Sequence, residues 1–419
     1  MVWPGGHVGA ANAPGARALL SLVLPALVVG TACSLLLLVI DHLSERLQEA
    51  LWQGLPALLG VDGSTGWWTV GVLTLTGVAV GLLLWKVPSG PDPATEELIG
   101  RPLPPVVVPG MLVAAVLTLA GGVSLGPENP VTATNVALAI ALGTRLLPDV
   151  THRVWLGLAA AGTVGALFGT PVAAALLLSE AMTSPGEGEL WDRLFAPLVS
   201  AGAGAVTTVV VASPTMSLGL PDYAGARLTD LVTGAVVAVC GTLLGLAAVY
   251  AFPHVHRFFR LLGHPVARLT AGGLVLGLLG VVGGRITLFK GLTQMKELTA
   301  DVAAYTAGGL ALIAAVKTVA LLVAATCAFV GGRIFPAVFV GVTLGLLAST
   351  LAPAVPVTLA VACAVLGVVL AITQQGWLSL FMAAVVAADI DLLPVLCVVL
   401  LPTWLIVTGR PKMIVREPA

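Results

Sequence analysis

One carboxylate stands out by its setting. Glu128 lies in Gly121-Gly122-Val123-Ser124-Leu125-Gly126-Pro127-Glu128-Asn129-Pro130, between the apolar runs Pro105–Ala120 and Val131–Leu142. A charge at membrane depth is costly, and irregular backbone survives there only when buried in protein or lining a cavity. Pro130 suits the first turn of a new helix, because its missing N–H would be unbonded there anyway. Glu128 then sits just before that helix, where free N–H groups and the positive dipole end favour negative charge. Such a group can exchange a proton or compete with a mobile anion.

A second break answers the first. Gly332-Arg333-Ile334-Phe335-Pro336 interrupts the run from Ala311 to Leu347. Both pieces read Gly-x-x-x-Pro before a helix-like run, and 332 − 126 = 206 residues, about half of the 419-residue chain. Interrupted segments at corresponding places in two halves point to a transporter-type site, and two helix N-termini facing one point would hold an anion. Arg333 reads either as a fixed positive charge that attracts the anion or as an inward arginine paired with Glu128 or Glu180.

Other chemistry finds little support. His254-x-His256 has no cysteine or carboxylate near it in sequence, so it reads as part of a solvated basic loop and no metal site is expected. No phosphate loop, dinucleotide turn or nucleophile elbow is present, so neither an enzyme nor a cofactor is expected. The net charge of −1 gives no reason to expect nucleic acid. Cys33, Cys240, Cys327, Cys363 and Cys397 are scattered singly in apolar runs and read as buried small hydrophobes.

Three elements carry a family resemblance. Leu125–Pro130 resembles the Gly-Arg-Glu-Gly-Pro element of the CLC chloride channels and proton/chloride antiporters, and Gly332–Pro336 resembles their Gly-x-Phe-x-Pro element. Phe168-Gly169-Thr170-Pro171 through Glu180 is similar to a third, Phe-Asn-Ala-Pro, leading into an apolar helix. Order and spacing fit from Leu20 to Met413. The resemblance implies an all-α integral membrane protein with an inverted-repeat fold, many tilted and broken helices, and a homodimer with one pathway per subunit. It makes Glu128 the gate. It places Ser89, Gly126, Pro127, Asn129, Gly332, Arg333, Ile334, Phe335 and Met413 around the anion, with Ser89 matched through a short, shifted Ser-Gly-Pro turn. The family's antiporters carry an inner proton-handling glutamate where this chain has Ala181, with Glu180 adjacent as a substitute on the proton pathway. Met413 falls where the family has a pore tyrosine, and methionine offers no donor to chloride. The expectation is therefore passive or weakly proton-coupled movement of chloride or a similar small anion. Proton antiport of chloride, fluoride or nitrate is the alternative, and a non-conducting scaffold with Arg333 locking Glu128 is a third.

The elements that must position these residues are apolar. The chain is 58% hydrophobic and only 9% charged, against about 25% charged in soluble domains. Candidate segments begin with an uncleaved first helix at Ala18–Ile40 and recur to Leu392–Val407, several shorter than the roughly 20 residues of a single span. The basic residues His254, His256, Arg257, Arg260, His264 and Arg268 read as one loop, with Arg410, Lys412 and Arg416 at the tail. The positive-inside tendency puts both, and hence both termini, on the cytoplasmic side of the cell membrane. Asp41–Gln53 and Ser213–Arg227 read as external polar stretches. Trp52, Trp67, Trp68, Trp85, Trp191 and Trp377 fall near segment ends as an interfacial belt would. Lys317 reads as ion-paired or snorkelled, and Asp389 and Asp391 as a surface turn. The expected organisation is a tail at 1–16, membrane repeats at 17–220 and 221–413, and a tail at 414–419, without C-terminal regulatory domains.

Overall fold

A computed structural model describes residues 16–181, 189–213 and 216–415. Residues 1–15 of the expected N-terminal tail, Arg416 and part of the polar stretch 213–227 lie outside the described residues. Seventeen α-helices are described: α1 Ala16–Ser21, α2 Val23–Glu49, α3 Leu55–Leu59, α4 Gly66–Lys86, α5 Val108–Ala120, α6 Glu128–Leu146, α7 His152–Phe168, α8 Pro171–Ala181, α9 Leu190–Ala212, α10 Leu228–Arg260, α11 Pro265–Gly283, α12 Leu292–Ala300, α13 Ala307–Thr326, α14 Ile334–Leu351, α15 Val357–Thr373, α16 Gly376–Ala387 and α17 Leu393–Val407. Eight helical spans among the described residues are long and apolar enough to cross a membrane. Others, such as α8 and α16, are too short for a full crossing. The chain is a multi-pass membrane protein.

Backbone groups in such a chain must be satisfied internally. The helices do this, and their hydroxyl side chains fold back onto their own carbonyls, as Thr343 Oγ1 donates to Phe339 O at 2.9 Å and Thr242 Oγ1 to Ala238 O at 2.8 Å. Starts are capped where the sequence allows it. Thr306 Oγ1 accepts from Gly309 N at 3.1 Å ahead of α13.

The residues cluster into two compact units. In the smaller (described residues 16–38 and 138–213) α7 packs along α9, and Ser200 Oγ donates to Leu158 O at 2.8 Å across that contact. Ser34 and Thr208 share a hydrogen bond of 2.6 Å in the same unit. In the larger (described residues 39–137 and 216–415) α4 packs against α11, α10 against α15, and α14 against α15. Helix α15 is buried along nearly its whole length, which explains why it is apolar on every side.

Several expectations are corrected. The polar stretch Asp41–Gln53 is helical: α2 runs on to Glu49 and a π turn carries the chain through Ala50–Gly54. The basic cluster is not one solvated loop, since α10 continues to Arg260 and Arg268 lies on α11. His256 is buried, its Nδ1 against Thr326 O at 3.2 Å and its Nε2 3.9 Å from Asp92. Trp52 is a core residue whose indole donates to Ala120 O at 3.1 Å, rather than part of a belt. Cys240 and Cys397 are exposed, unlike the other three cysteines.

Candidate functional site

Two helix breaks build the site, both in the larger unit. Helix α5 ends at Ala120, and the chain turns through Gly122, whose φ of +91° favours a residue without Cβ, to start α6 at Glu128. Helix α13 ends at Thr326, and the chain passes Ala328 at φ +77° to start α14 at Ile334. The breaks meet. Gly126 N donates to Gly332 O at 2.9 Å and Gly332 N to Gly126 O at 2.7 Å, an isolated antiparallel bridge. The N-termini of α6 and α14 are thereby held at one place.

Glu128 sits at that place, fully buried. Its Oε1 accepts from Ile334 N at 2.7 Å and Phe335 N at 3.4 Å. Its Oε2 is buried with no hydrogen-bond partner among the described residues. The carboxylate occupies the position an anion would take at the start of α14, where unbonded N–H groups and the helix dipole favour negative charge. Gly126 and Gly332 permit it, because a Cβ on either would overlap the Glu128 carboxyl group.

A second layer fixes the first break. Phe289 N donates to Gly122 O at 3.0 Å, and the Phe289 ring meets Trp52 edge-on with centroids 5.3 Å apart. Lys317, fully buried, donates to Thr287 O at 3.0 Å, Leu288 O at 3.2 Å and Phe289 O at 2.8 Å, and lies 4.7 Å from the Phe339 ring centre. The expected ion pair or snorkelled amine is replaced by three carbonyls, which use all three ammonium donors.

Beside α14 a cavity of about 70 Å³ is lined by Glu96, Asn129, Arg333, Ile334, Lys412 and Met413, among others. The Arg333 guanidinium donates to the carbonyls of Met413 and Pro93, the latter at 2.8 Å, and stacks 5.0 Å from the Phe252 ring centre. It makes no ion pair with Glu128 within 4 Å among the described residues. Met413 is buried and supplies its carbonyl. The structure thus brings together Gly126, Pro127, Glu128, Asn129, Gly332, Arg333, Ile334, Phe335 and Met413. It does not bring Ser89 to this cavity: that hydroxyl donates to Val87 O at 3.3 Å in its own turn. Glu180, half-buried in the last turn of α8, belongs to the smaller unit.

Sequence reasoning missed Glu96 and the segment Asp92–Glu97. Asp92 caps the 3-10 turn Pro93–Thr95 by accepting from Ala94 N at 3.1 Å, and Arg268 binds Asp92 at 3.3 Å. Burial pushes the Glu96 carboxyl up to about 7, against the pull of Arg333 and with the help of Asp92. The available signal was a run of carboxylates, Asp92, Glu96 and Glu97, in the polar link between two apolar segments.

Two helix starts brought to one buried carboxylate beside a small cavity make an arrangement suited to holding an anion. The family model described as voltage gated chloride channel matches residues 76–406, and the chain belongs to this CLC family of membrane proteins that move small anions. It is 51% identical over 407 residues, 97% of either chain, to "Putative ion-transport protein YfeO" of Escherichia coli (strain K12 / DH10B). The Shigella boydii serotype 18 protein of that name matches equally. Among solved structures, a slow cyanobacterial Cl−/H+ antiporter superposes with a TM-score of 0.78 at 15% identity, over 94% of this chain and 96% of its own. A CLC-type fluoride/proton antiporter gives 0.75 at 19%, over 95% and 99%. These likenesses show the fold.

Proposed function

We propose that the protein moves a small monovalent anion, most simply chloride, along a path gated by Glu128, by passive or weakly proton-coupled flux. The supporting observation is the Glu128 carboxylate on the N–H groups of Ile334 and Phe335. A negative side chain holding an anion's place competes with the anion, so the path conducts when Glu128 leaves or takes a proton. The same backbone groups then face the ion, with Gly126, Pro127, Asn129 and Gly332 around it and Arg333 as a fixed charge beyond Ile334. A guanidinium anchored by two carbonyls attracts the ion without closing on it, and the locked Arg333–Glu128 pair of a non-conducting scaffold has no counterpart. We place the protein in the cell membrane as a homodimer with one path per subunit and both termini cytoplasmic.

Proton antiport is the second reading, favoured by the likeness in fold to proteins described as Cl−/H+ and fluoride/proton antiporters. Purified protein in liposomes loaded with chloride, followed with a chloride electrode and a pH electrode together, tests both. The expected result is chloride efflux that rises as pH falls, and faster, less pH-dependent efflux in Glu128→Ala. Equal efflux and equal pH dependence in the two proteins overturn the gate. Proton movement driven uphill by the chloride gradient selects antiport.

A further inference from the structure

The cavity beside α14 contains an acid and a base, Glu96 and Arg333, that the gate does not use. Arg333 cannot swing away from it, because its guanidinium is tied to Met413 O and Pro93 O. Of the two neighbouring carboxylates, Glu97 is held by Lys412 Nζ at 3.0 Å. Glu96 has no side-chain ion pair or hydrogen bond among the described residues, yet it lines the cavity with Arg333 and its charge acts on that arginine.

We propose that Glu96 is the proton-responsive partner of Arg333, so that proton uptake on Glu96 and anion uptake in this cavity assist one another. The inference rests on the reading of this path as an anion path. The physics is simple charge bookkeeping. With Glu96 ionised, an anion beside Arg333 meets an attractive and a repulsive charge at once. With Glu96 protonated, only the attraction remains. By linkage an anion in the cavity makes Glu96 hold its proton more tightly by the same factor. The position suits physiological pH, since burial already pushes the Glu96 carboxyl up to about 7. The other charges around it are Asp92 on its own turn, Glu97 and Lys412, Glu128 on α6, and Arg268 and His256 beyond Asp92. Asp92 is paired with Arg268 at 3.3 Å and Glu97 with Lys412 at 3.0 Å, whereas Glu96 has no such partner among the described residues.

Isothermal titration calorimetry of chloride, then fluoride, then nitrate, into the full chain in detergent tests this. All measurements use a Glu128→Gln background, so that the gate contributes no titration. The expected result is an affinity that falls about fivefold or more from pH 6 to pH 8, in the usual range of coupling between sites. Adding Glu96→Gln should hold the pH 6 affinity at both pH values, and Glu96→Asp should restore the pH dependence, which separates the proposal from misfolding. A flat profile in the Glu128→Gln protein, or a profile that survives Glu96→Gln, overturns the assignment while leaving the anion path standing. No binding of any of the three anions at either pH sinks the path reading and the Glu96 assignment with it.

Discussion

Gly126 and Gly332 exchange two backbone hydrogen bonds, of 2.9 and 2.7 Å, although each sits in a break between separate helices. This two-bond bridge fixes the starts of α6 and α14 against one another without any side chain. It also leaves space on both sides for one carboxyl group, and Glu128 fills it. The pairing makes the place that Glu128 occupies a property of the backbone.

The tightness of that fit gives a double-mutant test. Gly332→Ala places a Cβ onto the Glu128 carboxyl, and overpacking of this kind costs about 1–3 kcal/mol. The cost should shrink when Glu128 is also cut to Ala, because the overlapping atoms are gone. Unfolding of the two single variants and the double variant is expected to show a coupling of about 1 kcal/mol or more. Strict additivity would mean that Glu128 does not rest against Gly332.

Glu96 should leave a mark on stability as well as on binding. Its carboxyl is raised from 4.5 to about 7 in the folded chain. Between those values the folded protein holds a proton that the unfolded chain has released, so stability falls as pH rises through this window. Glu96→Gln has no proton to lose. The difference in thermal midpoint between Glu96→Gln and the unaltered protein, measured from pH 4.5 to 8, is expected to grow with pH in favour of the variant and level off above about 7.

How much of this was legible beforehand differs by element, for physical reasons. The breaks at Gly126–Pro130 and Gly332–Pro336 could be read because glycine, proline and a charge inside an apolar run are incompatible with a plain membrane helix. Their meeting needed the half-chain spacing and the family resemblance. The run Asp41–Gln53 misled because hydropathy reports where lipid ends, not where helix ends: Glu45, Arg46 and Glu49 are good helix formers, and Arg46 pairs with Glu49 at 3.3 Å. His256 looked solvated because a charge-rich sequence does not say which face of α10 turns inward to Asp92. Lys317 was expected to be ion-paired or snorkelled, but its partners are main-chain carbonyls, which no side-chain pattern encodes. Glu96 escaped notice because a half-buried carboxylate in a polar turn looks like any surface acid until Arg333 is placed beside it.

The polar link before α10 is open to a pH test at the other end of the scale. Tyr223 OH donates to Asp230 Oδ2 at 2.5 Å, Arg227 N donates to the same oxygen at 3.1 Å, and Tyr223 N donates to Asp389 Oδ2 at 2.8 Å. Burial and the Asp230 carboxylate hold the Tyr223 phenol well above its ordinary value of 10. The stabilisation is therefore complete below pH 10 and lost as pH rises past it. Tyr223→Phe should cost about 1–2 kcal/mol at pH 7, and the gap should close as pH is raised through 10 and beyond. Chemical unfolding at pH 7, 9 and 11 measures it, and a constant gap would contradict the hydrogen bond to Asp230.

Lys317 offers the largest effect on stability. Its ammonium serves Thr287 O, Leu288 O and Phe289 O at once, in a pocket closed to water. Phe289 N in turn holds Gly122 O, so the lysine reaches the break before Glu128 through one residue. Lys317→Met keeps the volume of the stem but leaves three buried carbonyls without this donor, at about 1–3 kcal/mol for each that finds no replacement. A total loss of about 3 kcal/mol or more is expected in thermal or denaturant unfolding. Lys317→Arg should not rescue it, since a planar fork cannot direct its donors to three carbonyls grouped about one nitrogen. Hydrogen exchange should quicken first at Thr287–Gly291 and at Gly121–Gly126, while α7 and α9 of the other unit stay protected. Uniform loosening of the whole chain would argue that Lys317 serves the general packing and not the break that holds Glu128.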